Sequence, residues 1–383
     1  MRFPLAGGIQ APMSRIVFSL CVLSLLGCGS GSNTEVSSNG PPPTLGGGGA
    51  DAALPDGAAP GSGGDDASAP GADGSAAGTD AGSSADASST TDAAGDAAAG
   101  GYGPYGGDGP ASVTTAMLQV PAPNGTFTTT AYIPGTPGAH PVVVLSSGFF
   151  QTAAAYAPYA HRLASWGMLT LLRDDPNLAE QTTNIAADVS YVVTTWLSAT
   201  NGDASSPLHG QIDTGKIGLA GHSRGGQIAL LAAEGGAHGL VRGVFGLDPV
   251  DTSMSGSPQA RTQIAGIGVP VAFIGETTDS SAQGCAPATD NYQVLYAAAA
   301  SPAVAITAID ADHTMFEDPT QCSFCTACTA GTANAAQVLA YAERYLTAFF
   351  ARELQGDATV GPAFAGAGAN QDVAAGLTQI VSK

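Results

Sequence analysis

Between Pro141 and Ile309 short apolar runs alternate with longer segments of helical periodicity, and this limits the fold more than any other feature. The runs are Pro141 to Ser146, Met168 to Arg173, Lys216 to Ala220, Val241 to Leu247, Val269 to Gly275 and Val304 to Ile309. The first, "PVVVLS", is continuously apolar, as suits a strand covered on both faces. Ala153 to Trp166 reads as a helix, and Asn184 to Leu197 carries Ile185, Val189, Val192, Val193 and Trp196 at helical spacing. A long amphipathic helix over about Asn334 to Glu353 closes the series. Ahead of it all, Ala116 to Val120 and Thr126 to Ile133 alternate as antiparallel strands do. The pattern predicts an α/β domain over 111–383, with a mostly parallel central sheet flanked by helices on both faces.

The first part of the chain reads differently. Met13-Ser14-Arg15, the apolar run Ile16 to Leu26 and then Gly27-Cys28 have the layout of an export signal, too short in its apolar part to span a bilayer. "LLGC" resembles the lipobox of bacterial lipoproteins, which makes 1–28 a signal peptide and Cys28 the lipidated residue. Gly29 at the next position is compatible with outer-membrane sorting. Residues 29–110 are mostly Gly, Ala, Ser, Asp and Pro, with eleven acids and no Lys or Arg. Such a stretch cannot bury enough surface to offset its ordering entropy, so a disordered tether is expected. The whole chain carries 31 acidic and 11 basic residues, and no basic patch suits nucleic acid.

Within the alternating half, "GKIGLAGHSRGGQIALLAAEGG" sets Gly221-His222-Ser223-Arg224-Gly225 between an apolar strand and a helix. The bare G-x-S-x-G pattern is poor support in a chain with 53 glycines. Its place between strand and helix is specific, because that turn lifts a serine above the sheet edge as a nucleophile. A phosphate-binding turn would need other spacing and a lysine.

A serine needs a base, and the base needs an orienting acid. Of the six histidines, His313 alone follows the last apolar run, in "VAITAIDADHTMFED". Asp248 and Asp251 in "GLDPVD" and Asp279 in "FIGETTD" all fit the order Ser, Asp, His, while adjacent Asp312 suits a local structural role. Two backbone N–H groups are needed for an oxyanion, and Arg224 and Phe149 are the candidates.

"GHSRGGQ", "GLDPVD", "CAPATDNYQ" and "ADHTMFED" together resemble chlorophyllases and their bacterial relatives, α/β-hydrolases close to the cutinase-like polyester hydrolases. The resemblance spans roughly Ala116 to Phe350. It implies the α/β-hydrolase fold, with Ser223 as nucleophile, His313 as base and Asp248 as acid. The cutinase-like pattern instead implies Asp279. No cofactor or metal is implied. The expected activity is hydrolysis of carboxylic esters, the substrate being an apolar ester met outside the cell, and the expected membrane association runs through the lipid anchor. A peptidase or amidase, or a non-catalytic surface-binding domain, is the alternative on the same scaffold.

Cys285, Cys322, Cys325 and Cys328 remain after the leader. In an exported domain an even number of cysteines predicts two disulfides, of any of the three connectivities. The run "CSFCTAC" lacks the fourth ligand and the proline of a ferredoxin motif.

Overall fold

The structure, a computed structural model, describes residues 103–174, 180–253, 258–279, 284–318, 328–361, 364 and 367–383. All of them fall in the second of the chain's two compact units, residues 86–383. The signal segment, Cys28 and the tether up to residue 102 lie outside the described residues, as do Cys322 and Cys325.

The strands are β1 (Val113–Ala122), β2 (Gly125–Pro134), β3 (His140–Ser146), β4 (Leu169–Arg173), β5 (Ile212–His222), β6 (Val241–Leu247), β7 (Val271–Glu276), β8 (Ala303–Ala308) and β9 (Thr378–Ser382). They form one sheet in the order β1-β2-β4-β3-β5-β6-β7-β8-β9. Pairing is parallel from β4 through β8 and antiparallel at both margins. The helices are α1 (Ala157–Ser165), α2 (Thr182–Tyr191), α3 (Leu197–Gly202), α4 (Arg224–Glu234), α5 (Tyr292–Ala298), α6 (Ala335–Phe350) and α7 (Ala367–Ala374).

Side-chain alternation along the strands decides which helix covers which face. Val142 and Val144 of β3 pack with Ile185 and Val189 of α2 and Ile228 of α4. Val143 and Leu145 point the other way, into Leu163 of α1 and Tyr345 and Leu346 of α6. Both faces of β3 are thus closed to water, which is why its middle, Val142 to Leu145, shows no polar residue.

Every predicted strand and helix is present, with shifted ends. The segment Asn184 to Leu197 is interrupted by a π-helical turn, Val192–Trp196, before α3. The predicted last helix stops as α6 at Phe350 and continues as a second such turn, Ala351–Gln355. Short α5, α7 and β9 were not predicted. "TQIVS" has too little pattern to stand out, and β9 exists because β8 offers it an edge. Residues 103–110, assigned to the tether by composition, pack on α1. Tyr105 is buried with its ring 4.7 Å from that of Trp166, and the Trp166 indole N–H donates to Gly107 O at 2.9 Å. One aromatic side chain anchors a stretch whose average composition reads as solvated.

The parallel register aligns the strand ends that matter. Ser146 pairs with Gly221, His222 with Leu247, Leu247 with Ile274, and Glu276 with Ala308. The loops that follow β3, β5, β6, β7 and β8 therefore open at one edge of the sheet.

Candidate active site

Ser223 sits at that edge between β5 and α4, with φ 54° and ψ −122°, a conformation rare for a residue with a side chain. Tertiary packing imposes it. A Cβ on Gly221 would meet the Gly225 carbonyl at 2.2 Å, and one on Gly225 would meet the Ser146 carbonyl at 2.2 Å. The turn is closed by Ser223 N–H donating to Leu247 O at 3.0 Å and Val250 N–H donating to Ser223 O at 3.1 Å. These bonds bracket Asp248, so the serine turn and the Asp248 turn are fixed to each other through backbone.

Asp248 is completely buried and holds a strained φ of 37°. Its Oδ2 lies 2.6 Å from His313 Nδ1. His313 follows β8 in a short 3₁₀ turn, His313–Phe316, capped by Asp312, whose Oδ1 accepts the Thr314 N–H at 2.9 Å. Burial pulls the His313 imidazole down, but the Asp248 hydrogen bond and charge, with Glu317 and Asp279, bring it above its ordinary 6.5. The carboxylate also keeps the proton on Nδ1, which leaves Nε2 as the basic nitrogen. Among the described residues, the Ser223 hydroxyl makes no hydrogen bond.

The other two candidate acids are engaged elsewhere. Asp251 accepts from Gln227 Nε2 at 3.1 Å, Ala260 N–H at 2.6 Å and Arg261 Nε at 2.8 Å. Asp279 accepts the His313 backbone N–H at 3.4 Å and the Thr329 N–H at 2.9 Å, so it touches the histidine's main chain, not its ring.

The oxyanion candidates lie on the loops after β3 and β5, at the same sheet edge. The Arg224 N–H opens helix α4, whose dipole favours negative charge at this end. Phe149 lies in the turn after β3, and its N–H makes no hydrogen bond among the described residues. The Arg224 side chain is buried, donates to Thr182 Oγ1 at 3.2 Å and to the Glu180 carbonyl, and lies 5.3 Å from the Phe149 ring centre. Arg224 thus ties the start of α2 to the loop of Phe149, a side-chain role that the motif alone does not display. Phe150 beside it is partly exposed, with φ 59°.

Glu276, at the end of β7, escaped the sequence reading. It is fully buried and its Oε2 accepts the Asp279 N–H at 2.8 Å. Burial, and then the charge of Asp248, push its carboxyl up to about 9, so it is neutral at pH 7. Only its end-of-strand position could have drawn notice to it.

Cys285 and Cys328 form a disulfide, with Cα atoms 5.2 Å apart. A carboxylate oxygen of Asp279 and the two sulfurs lie within 4.8 Å of one another, but the sulfurs are bonded to each other and are not metal ligands in this state. Two disulfides are expected with the pairing open; Cys322 and Cys325, the cysteines left for the second, lie outside the described residues.

A mostly parallel sheet with helices on both faces and a serine on a strained strand-to-helix turn define the α/β-hydrolase fold. The family model described as Chlorophyllase matches residues 109–362, and the chain belongs to that family. Membership points to a hydrolase acting on esters. No curated protein matches the chain.

Proposed function

We propose that the protein is a serine hydrolase that cleaves carboxylic esters through an acyl-enzyme. The observation that carries this reading is the buried His313–Asp248 pair beside the Ser223 turn. Ser223 Oγ attacks the ester carbonyl while His313 Nε2 takes its proton. The tetrahedral oxyanion is held by the N–H groups of Phe149 and Arg224. His313 then returns the proton to the leaving alcohol, and water, activated by the same histidine, cleaves the acyl-enzyme. Asp248 stabilises the imidazolium that forms in each half. The partly exposed Phe150 and the half-buried Phe149 beside the turn favour an apolar acyl group.

Hydrolysis of p-nitrophenyl esters of graded chain length tests the reading, with Ser223→Ala as control and an anilide as competitor. Turnover of esters, fluorophosphonate labelling, and loss of both in Ser223→Ala are expected. Faster cleavage of the anilide favours an amidase, and a folded protein that neither turns over nor labels is a binding domain.

We read residues 1–28 as a lipoprotein signal peptide and residues 29–102 as a tether that holds the enzyme off an envelope membrane. The "LLGC" ending and the acidic, apolar-poor composition support this. Mass spectrometry of the membrane fraction should find Cys28 diacylated, and an unmodified Cys28 there refutes the anchor.

A further inference from the structure

Behind the Ser223 turn lies a buried polar cluster that proton transfer between Ser223, His313 and Asp248 does not use. Tyr156 is 0% exposed, His222 1% and Glu317 4%. Tyr156 Oη accepts the Gly148 N–H at 3.1 Å, and lies 2.8 Å from His222 Nδ1 and 3.1 Å from Glu317 Oε1. His222 Nδ1 is itself 3.3 Å from Glu317 Oε1. On its other side, His222 Nε2 is 3.1 Å from the His313 carbonyl oxygen.

Counting hydrogens fixes the state of this cluster. A carbonyl only accepts, so His222 Nε2 carries a proton. The Tyr156 hydroxyl has one hydrogen, and burial and then the charge of Glu317 hold it well above the usual phenol value. If that hydrogen goes to Glu317, His222 Nδ1 must bring its own to the tyrosine oxygen. If it goes to Nδ1, Glu317 must bring one. Either way one more hydrogen between His222 and Glu317 Oε1 completes the bonds around the tyrosine oxygen, while Glu317 Oε2 is buried with no hydrogen-bond partner among the described residues. The packing leaves no slack, since a Cβ on Gly148 would stand 2.9 Å from Tyr156 Oη and 3.0 Å from His222 Nδ1.

We infer that Tyr156, His222 and Glu317 are positioning residues that lock three pieces of backbone into one catalytic geometry. The pieces are the Gly148–Phe149 loop, the Ser223 turn and the His313 loop. The inference rests on the ester-hydrolase reading, which gives those pieces the oxyanion donor, the nucleophile and the base. None of the three side chains touches the substrate. They act by holding the Gly148 amide and the His313 carbonyl to one imidazole, and the step they serve is sensitive to small displacements.

Tyr156→Phe removes the hub at nearly constant volume, and Glu317→Ala removes one bond donor or acceptor. Glu317→Gln keeps the count, because its amide donates to the tyrosine oxygen while the hydroxyl turns to His222 Nδ1. The expected result is a loss of kcat of about 10- to 100-fold in Tyr156→Phe and Glu317→Ala, with KM little changed, and recovery in Glu317→Gln. A role in stability alone would lower Tm and leave kcat of the folded protein at the wild-type value. Imidazole ¹⁵N NMR gives a readout independent of turnover. Tyr156→Phe should move the His222 Nδ1 signal, and Ser223→Ala should not. If the wild type hydrolyses no ester while that signal moves, the ester reading fails and the hydrogen-bonded cluster stands. An unmoved His222 signal in Tyr156→Phe, or wild-type kcat in that variant of an active enzyme, overturns the inference.

Discussion

His313 Nδ1 stands 2.6 Å from Asp248 Oδ2, with the carboxylate fully closed to solvent and the imidazole nearly so. Three aspartates stood in the right order along the chain, and this contact separates them. Asp248 meets the ring, Asp279 the main-chain N–H of the same histidine, and Asp251 a cluster around Arg261. Asp248 Oδ1 has no hydrogen-bond partner among the described residues, so the carboxylate's polar interactions are concentrated on the imidazole.

Asp248→Asn should therefore cost about 10³- to 10⁴-fold in kcat, because an amide in place of the carboxylate favours the wrong imidazole tautomer. Asp279→Asn should cost far less, since its carboxylate accepts the backbone N–H groups of His313 and Thr329 and does not meet the imidazole. Asp251→Asn should act on folding, through Arg261 and Ala260. Steady-state kinetics beside thermal melts of all three variants decide this. A larger kcat loss in Asp279→Asn than in Asp248→Asn would reassign the acid.

The pH profile should report the same pair. In the proposed mechanism His313 acts as a base only when neutral, and Asp248 raises its protonation range above the ordinary value against the pull of burial. The acidic limb of kcat/KM should accordingly lie above pH 6.5 in the wild type. In the residual activity of Asp248→Asn it should move to lower pH, since burial then dominates. An unmoved limb means that another group is titrating.

Glu276 gives a stability prediction with a definite sign. Its carboxyl is protonated in the fold up to about pH 9 but ionises near 4.5 when unfolded, so the folded state binds more protons between those values. Its contribution to stability is complete below pH 4.5 and is lost as the pH rises toward 9. Glu276→Gln is neutral in both states and should flatten the fall of Tm between pH 5 and 9. Glu234, raised to about 8, and Glu343, raised to about 7, fall off in the same direction, so part of the slope remains. An unchanged slope in Glu276→Gln would show that its carboxyl is ionised in the fold.

The Cys285–Cys328 disulfide closes a loop of separation 43 that contains β8 and His313. Its removal in Cys285→Ser/Cys328→Ser should cost about 2–4 kcal/mol, largely by freeing the unfolded chain. Urea titrations should place the midpoint of the variant below that of the oxidised wild type and close to that of the reduced wild type. Equal midpoints in the oxidised wild type and the variant would mean that the bond adds nothing.

What the sequence determined by itself is what depends on near neighbours along the chain. Apolar runs and helical spacing specified β3 to β8 and helices α1, α2, α4 and α6 because burial on two faces leaves a mark in every residue of the run. The serine turn was legible at Gly221, Ser223 and Gly225 because a strained turn admits few residue types. His313 was legible by its place after the last parallel strand. Tertiary structure alone decided which acid meets that histidine, since Asp248, Asp251 and Asp279 differ by loop paths that no local pattern records. It alone showed Tyr105 seated on Trp166, β9 recruited by the edge of β8, and Glu276 buried beside Asp279. His222 likewise reads as a filler between glycine and serine until Tyr156 and Glu317, 66 residues before it and 95 after it, are brought against its ring. Hydrogen bonds and electrostatic fields act through space, and contacts between residues so far apart in sequence exist only once the sheet has aligned the ends of its strands.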